Sequence, residues 1–244
     1  MRGLFITGTD TGVGKTFVTA AIIRLVRKAG LDAVGLKPFA TGAVQTAVRD
    51  PSSQRQRDRD GCISEDAREL FEASGGVEPI EAINPVLFRA PRAPKVAAEM
   101  EGESVDTVAV LESIRAVASR HDAVAIEGVG GLLVPLTADK TVADFAAEVG
   151  LPLLIVGRAG LGAINHAALT VNEARRRGLK VAGVILNAHA GPEEEELVQS
   201  NKGEIERLCG VRVLAALPYA ARGSDAAEKK LARCCDCKAL LLGE

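Results

Sequence analysis

The ten residues Thr7-Gly8-Thr9-Asp10-Thr11-Gly12-Val13-Gly14-Lys15-Thr16 constrain this chain more than any other stretch. They follow an apolar run, Leu4, Phe5 and Ile6, and precede apolar residues at helical spacing, Ala20, Ile23 and Val26. The segment therefore sits at a strand-to-helix turn, where unpaired helix-end N–H groups and the helix dipole attract anions. Gly12 and Gly14 let the backbone approach a polyphosphate, Lys15 supplies a point charge for its outer phosphates, and the Thr16 hydroxyl is placed to ligate magnesium. Five residues separate Gly8 from Gly14, one more than the usual phosphate loop has between its first glycine and Gly-Lys.

Continuous apolar runs recur at 3–7, 33–37, 123–127, 153–156, 181–187 and 211–217, each parted from the next by at least one stretch of helical periodicity. Those stretches are 15–29, 64–73, 105–121, 142–149, 164–177 and 193–208. Buried parallel strands read as unbroken hydrophobic runs, and strict alternation with helices predicts right-handed crossovers. The expected fold is α/β: a doubly wound, mostly parallel sheet with helices on both faces, of the P-loop NTPase type. Pro192 is read as the first helical residue of its segment, with Glu193 to Glu196 favoured there by the dipole, and Arg175 to Arg177 close the preceding helix before Gly178.

At 244 residues and 47% hydrophobic content, the chain suits one ATP-binding domain over 1–244 better than two small ones. Residues 43–61 are polar and without apolar period, and are expected to form a mobile surface loop; 84–102, with its prolines and glycine, reads as an irregular cover over one end of the sheet; 223–244 is a C-terminal tail with no assigned structure. A net charge of −2 with mixed signs gives no electrostatic footprint for nucleic acid or a membrane surface. The stretch ahead of the loop is too short for a signal peptide and no run is long enough to span a bilayer, so a cytoplasmic location is expected. Cys234, Cys235 and Cys237 cluster while Cys62 and Cys209 stand alone, which is not a disulfide framework; the cluster reads as a reduced tail.

In an open parallel sheet, ligands gather at the carboxyl ends of the strands. The polar residues ending the apolar runs are Lys37-Pro38 with Thr41-Gly42, Glu127-Gly128-Val129-Gly130-Gly131, Gly162-Ala163-Ile164-Asn165-His166, and Asn187. By itself Lys37 reads as a surface lysine. Beside a phosphate loop it can offset charge that grows during phosphoryl transfer, and Glu127 can complete a magnesium shell begun by Thr16. His166 reads as a residue of the helix start.

These motifs, in this order and over nearly the whole chain, resemble the dethiobiotin synthetase family, whose phosphate loop has the same extra residue. The resemblance implies an ATP-dependent ligase of biotin biosynthesis that closes a cyclic urea from 7,8-diaminononanoate and CO2 or bicarbonate. It implies that Gly12, Val13, Gly14, Lys15, Thr16 and Phe17 hold the ATP phosphates beside Glu127, Gly128, Val129 and Gly130. Thr16, Asp66 and Glu127 would bind Mg2+, with Asp58 and Asp60 as the other candidates for the middle ligand. Lys37, with Lys15, would be the catalytic cation, and Thr41 would touch the diamine. Asn187, Pro218 and Tyr219 would surround the adenine, and Asn165 would hold the substrate carboxylate across a homodimer with shared sites.

Other readings are a partitioning ATPase switch, a cobyrinate-type amide ligase and a small-molecule kinase. The switch proteins place a lysine where this chain has Asp10. The amide ligase needs a glutaminase domain for which the residues after Leu217 are too few. A kinase would use the same loop, metal and lysine, so only the chemistry separates it.

Overall fold

The computed structural model describes residues 1–45, 61–188, 190–220 and 225–243. In chain order the elements are β1 (Gly3–Gly8), α1 (Lys15–Lys28), β2 (Ala33–Leu36), β3 (Phe39–Thr41), β4 (Val44–Gln45), β5 (Cys62–Ile63), α2 (Glu65–Ala73), α3 (Ile80–Ile83), β6 (Val86–Phe88), α4 (Pro94–Glu101), α5 (Thr107–Ala118), β7 (Ala123–Gly131), α6 (Val142–Val149), β8 (Leu153–Arg158), α7 (Ala163–Arg176), β9 (Val181–Asn187), α8 (Glu195–Cys209), β10 (Val213–Leu217), α9 (Ala226–Cys234) and α10 (Cys237–Leu242). The six long apolar runs form one parallel sheet in the order β10-β9-β8-β1-β7-β2. β1 lies inside it, paired to β7 on one side and β8 on the other, and every one of its residues is buried. The order reverses beside β1, so ligands are expected at the crevice just beyond its carboxyl end.

Helices cover both faces. α1 packs with α2, α9 and α10, whereas α7 packs with α8, and α5 with α6. The main core runs from Leu4 to Leu241, so the last helix contributes to the same interior as the first strand. The tail left unassigned in the sequence is thus two helices, whose Leu231 and Leu241 are fully buried. A second apolar cluster lies under α7 and α8, around Ile155, Val171, Val184 and Ile205.

Three expectations are corrected. The helix read as starting at Pro192 starts at Glu195, after Glu194 in extended conformation at φ −65 and ψ 129. The segment ahead of it is drawn towards the loop after β8, where the Glu193 carboxylate lies so close that a Cβ on Gly160 would stand 2.3 Å from it. The stretch 84–102 is not irregular throughout. It contains β6, paired in parallel with β3, and α4, which packs on both strands. Asn84 organises this turn, its Nδ2 donating to the Lys37 and Val86 carbonyls at 2.8 Å each. Finally, the glycines after Glu127 continue β7 instead of turning, with Gly131 paired to Gly8 across a register shift. Of the 43–61 loop, Val44–Gln45 form β4, which pairs with β5 just beyond the loop, and residues 46–60, with Asp58 and Asp60, lie outside the described residues.

Candidate active site

The phosphate loop leaves β1 at Gly8 and enters α1 at Lys15. Gly12 and Gly14 have φ of 76° and 91°, a region that side chains with a Cβ avoid. A Cβ on Gly14 would also stand 2.1 Å from Asn187 Nδ2. Asn187, buried at the end of β9, donates that amide to the Val13 carbonyl at 3.0 Å, tying the loop to a strand two positions away in the sheet. Asp10 accepts from its neighbour Thr11 N through Oδ1 at 2.7 Å, its carbonyl accepts from Lys15 Nζ at 3.0 Å, and its Oδ2 pairs with Arg158 at 3.4 Å.

Lys37 is no surface residue: it is 3% exposed. The chain leaves the sheet after Leu36, with Lys37 N donating to the Ile83 carbonyl, and the side chain turns into the crevice. There its Nζ lies 2.5 Å from Glu127 Oε1 and 2.8 Å from Asp66 Oδ2. Thr16 Oγ1 donates to the same Glu127 oxygen at 2.9 Å. Asp66 reaches this point from the first turn of α2, whose start is fixed by Ser64 accepting from Ala67 N. Loop, strand end and helix start, far apart in sequence, thus converge on one cluster.

Burial alone would lower the Lys37 pKa, but the charges of Glu127 and Asp66 outweigh it and hold the lysine above its ordinary value. Burial, partly opposed by Lys37, keeps the Glu127 carboxyl above the usual carboxylate range. For Asp66 the desolvation is overcome by Lys37, and its carboxyl lies below that range. Lys15, desolvated and close to the Lys37 charge, is lowered to about 8. Among the described residues, the buried Glu127 Oε2 has no hydrogen-bond partner. An unpaired carboxylate oxygen next to a hydroxyl and a second carboxylate is a hard-oxygen donor set of the kind that suits magnesium.

The cluster opens into a cavity of about 750 Å³, within the range of small-molecule sites. Of the residues named from sequence, Gly12, Gly14, Lys15, Thr16, Phe17, Lys37, Thr41, Asp66, Glu127, Val129, Gly130 and Asn187 line it. Val13 is wholly buried beneath the loop. Gly128 lies behind the wall, where a Cβ would press on Phe5 at 3.1 Å, and its carbonyl is 3.4 Å from Lys37 Nζ. Pro218 and Tyr219 are exposed and outside the lining, and Ala188 and Ala220 occupy that end of the cavity. Asn165 is exposed on the first turn of α7, outside the lining of this cavity; the buried Nδ1 of His166 beside it has no partner among the described residues.

Sequence reasoning missed Glu69 and the Pro91-Arg92-Ala93 corner, which also line the cavity. Glu69 had a signal, since it follows Asp66 by three residues on one helix face. Arg92 had none: it is brought in by the β3–β6 pairing, which seats Pro91 against Gly42.

The model of the AAA domain family matches residues 2–226. The chain is 54% identical to the ATP-dependent dethiobiotin synthetase BioD of Anaeromyxobacter dehalogenans strain 2CP-C, over 90% of this chain and 91% of that protein. It is 36% identical to the protein of the same name from Bacillus subtilis strain 168, over 89% and 87%. The chain belongs to the dethiobiotin synthetase family. It is therefore an ATP-dependent ligase of biotin biosynthesis. Among solved structures, a ParA family ATPase from Chlorobium tepidum TLS aligns with a TM-score of 0.53 at 16% identity, over 96% of this chain and 90% of that one. The Pyrococcus furiosus cell division ATPase MinD aligns with a TM-score of 0.53 at 15% identity, over 95% and 98%. At such identities the likeness shows the shared P-loop ATPase fold alone. Among the described residues, no helix is long and apolar enough to cross a membrane.

Proposed function

We propose that this dethiobiotin synthetase family member carboxylates 7,8-diaminononanoate with CO2 and closes the product to the cyclic urea dethiobiotin, converting ATP to ADP and phosphate. The observation that carries the reading is Lys37 Nζ, held between Glu127 and Asp66 at the foot of the phosphate loop. A buried cation at this place suits a reaction that must bring two anions together. In the proposed sequence, one substrate amine captures CO2 as a carbamate, the carbamate oxygen attacks the γ-phosphate in line, and the second amine closes the ring on the mixed anhydride, expelling phosphate.

Each chain residue has a task in that scheme. Gly12 and Gly14 admit the phosphates to the backbone N–H groups of the loop, and Lys15 and Lys37 offset the charge between carbamate and γ-phosphate. Thr41 contacts the diamine, and Asn187 holds the loop's shape beside the adenine end. Thr16, Asp66 and Glu127 would hold Mg2+, which when bound supplies charge neutralisation to the phosphate oxygens. The exposed position of Asn165, outside its own cavity, suits a role across a homodimer, where it would anchor the partner site's carboxylate. A single ATP-binding domain suffices for all of this.

The test is phosphate release from ATP measured with each co-substrate omitted in turn. The reading requires dependence on both 7,8-diaminononanoate and bicarbonate. A phosphorylated diamine formed without bicarbonate would make the protein a kinase, and turnover of ATP indifferent to both would make it a switch ATPase. Oxygen from labelled bicarbonate is expected in the released phosphate. Label retained only in the ring, with water exchange excluded, would eliminate the anhydride route.

A further inference from the structure

The C-terminal segment carries chemistry that the nucleotide site does not use. α9 ends at Cys234, Cys235 is extended at φ −148 and ψ 149, and Cys237 opens α10. Side chains two residues apart on extended chain fall on one side, and the Cys235 and Cys237 Sγ atoms are 3.5 Å apart. Among the described residues, no group of three or more His, Cys, Asp or Glu side chains could hold a metal ion, so this pair lacks the further ligands of a thiolate metal site. We propose that Cys235 and Cys237 form a reversible dithiol–disulfide pair, oxidised by exchange with low-molecular-weight disulfides, and that closing it loosens α10 from the core.

The two sulfurs are not equivalent. Cys237 is buried in the main core, whereas Cys235 is only partly buried. The two thiols share one hydrogen bond, and that bond, helped by the Arg212 charge, holds Cys235 below the ordinary thiol value against burial and Asp236. The same bond and burial push Cys237 up. Cys235, the more accessible of the two, is therefore the attacking sulfur. Its thiolate attacks a small disulfide, RSSR, forming a mixed disulfide and releasing RS⁻, which takes up a proton. Cys237 then loses its proton to solvent and attacks the Cys235 sulfur, displacing the second RS⁻, which is protonated in turn. The pair gives up two electrons and two protons, and RSSR is reduced to two thiols.

Closure draws the sulfurs from 3.5 Å to about 2 Å. The contraction falls on Asp236, whose Oδ1 accepts from Lys238 N and Ala239 N and so fixes the start of α10. α10 seats Leu241 in the core and packs against β1, α1 and β7. A pair that opens and closes in a reducing compartment behaves as a sensor, not as a structural staple.

The experiment equilibrates the full chain with glutathione buffers of graded oxidised-to-reduced ratio, followed by mass measurement, disulfide mapping and hydrogen exchange. The expected product is lighter by two hydrogens, mapped to Cys235–Cys237, reversed by reduced glutathione, and faster in amide exchange across α10. Cys234→Ala should behave identically, and Cys237→Ala should accumulate a glutathione adduct on Cys235. If Cys237→Ala does not fold, the mapping on the unaltered chain decides alone. Two free thiols at Cys235 and Cys237 in a buffer that modifies the exposed Cys234, or a disulfide joining Cys234 to Cys235, would overturn the pairing. A closed pair with unchanged exchange in α10 would overturn its effect on the helix.

Discussion

Removing Glu127 has two consequences, because its carboxylate serves the site and also balances a buried cation. Glu127 and Lys37 are both inside the protein, and stripping one partner from a buried pair costs about 3–5 kcal/mol. Glu127→Ala is therefore expected to lower turnover by about two to three orders of magnitude and to lower the unfolding midpoint as well. Lys15→Ala should show a comparable loss of turnover with little change in stability, since its ammonium donates to the Asp10 carbonyl and not, among the described residues, to a buried carboxylate. Paired kinetics and urea unfolding on the two variants check this; equal stabilities would contradict the balance assigned to Glu127. At Gly14, an alanine would meet both a positive φ and the Asn187 amide. Strain of about 1–2 kcal/mol should weaken ATP binding roughly tenfold, measurable by calorimetry, with the sheet unaffected. The loop was legible from sequence because its chemistry is local, a run of residues at fixed spacing. The Asn187 clamp on Val13 was not, because it joins positions 174 residues apart.

Among the elements, the six long strands were readable because strands buried on both faces have no polar alternation to obscure them. β3 and β6, with three residues each, carry too short a pattern, and Pro85 and Pro91 around β6 read as loop. The opposite end of the sheet offers an independent test. His121, at the entrance to β7, lies 2.9 Å from Asp32 and 3.0 Å from Glu78, and Arg120 donates twice to Glu78 at 2.9 and 2.6 Å. The Arg120 hydrogen bonds, aided by His121 and working against desolvation, hold the Glu78 carboxyl below its ordinary 4.5. A depressed carboxylate stabilises the fold fully above its unfolded pKa and loses that contribution as pH falls through the folded value. Glu78→Gln should therefore be less stable than the parent at pH 7, with the gap closing below about pH 4.5. Turnover at saturating substrates should not change, since this network lies at the edge away from the cavity. A stability gap that does not narrow at all as pH falls below about 4.5 would show that the carboxylate's charge is not the cause.

At the scale of the whole molecule, the core that begins at Leu4 ends at Leu241, which makes the last helix part of the sheet's support. Leu241→Ala is expected to cost about 2–5 kcal/mol. The loss should appear as a lower midpoint in one cooperative transition. A separate early transition would show that α9 and α10 unfold alone. This docking was not legible beforehand because Leu231 and Leu241 lie in short helices among charged residues and cysteines, where burial leaves no clear period.

The place of β1 inside the sheet also sets an order of events in time. A ribosome makes this strand before either of its neighbours, which begin only at residues 123 and 153, and one of the helices that back it ends at residue 242. The nucleotide-binding loop therefore emerges long before the strands that hold its flanking strand, and the nascent chain must carry Leu4, Phe5 and Ile6 without strand partners until residue 123 and those beyond it have been made. Closing so long a loop is slow and leaves an apolar edge available to wrong partners meanwhile. ATP can assist only at the end, as a ligand that selects chains in which the wait is over.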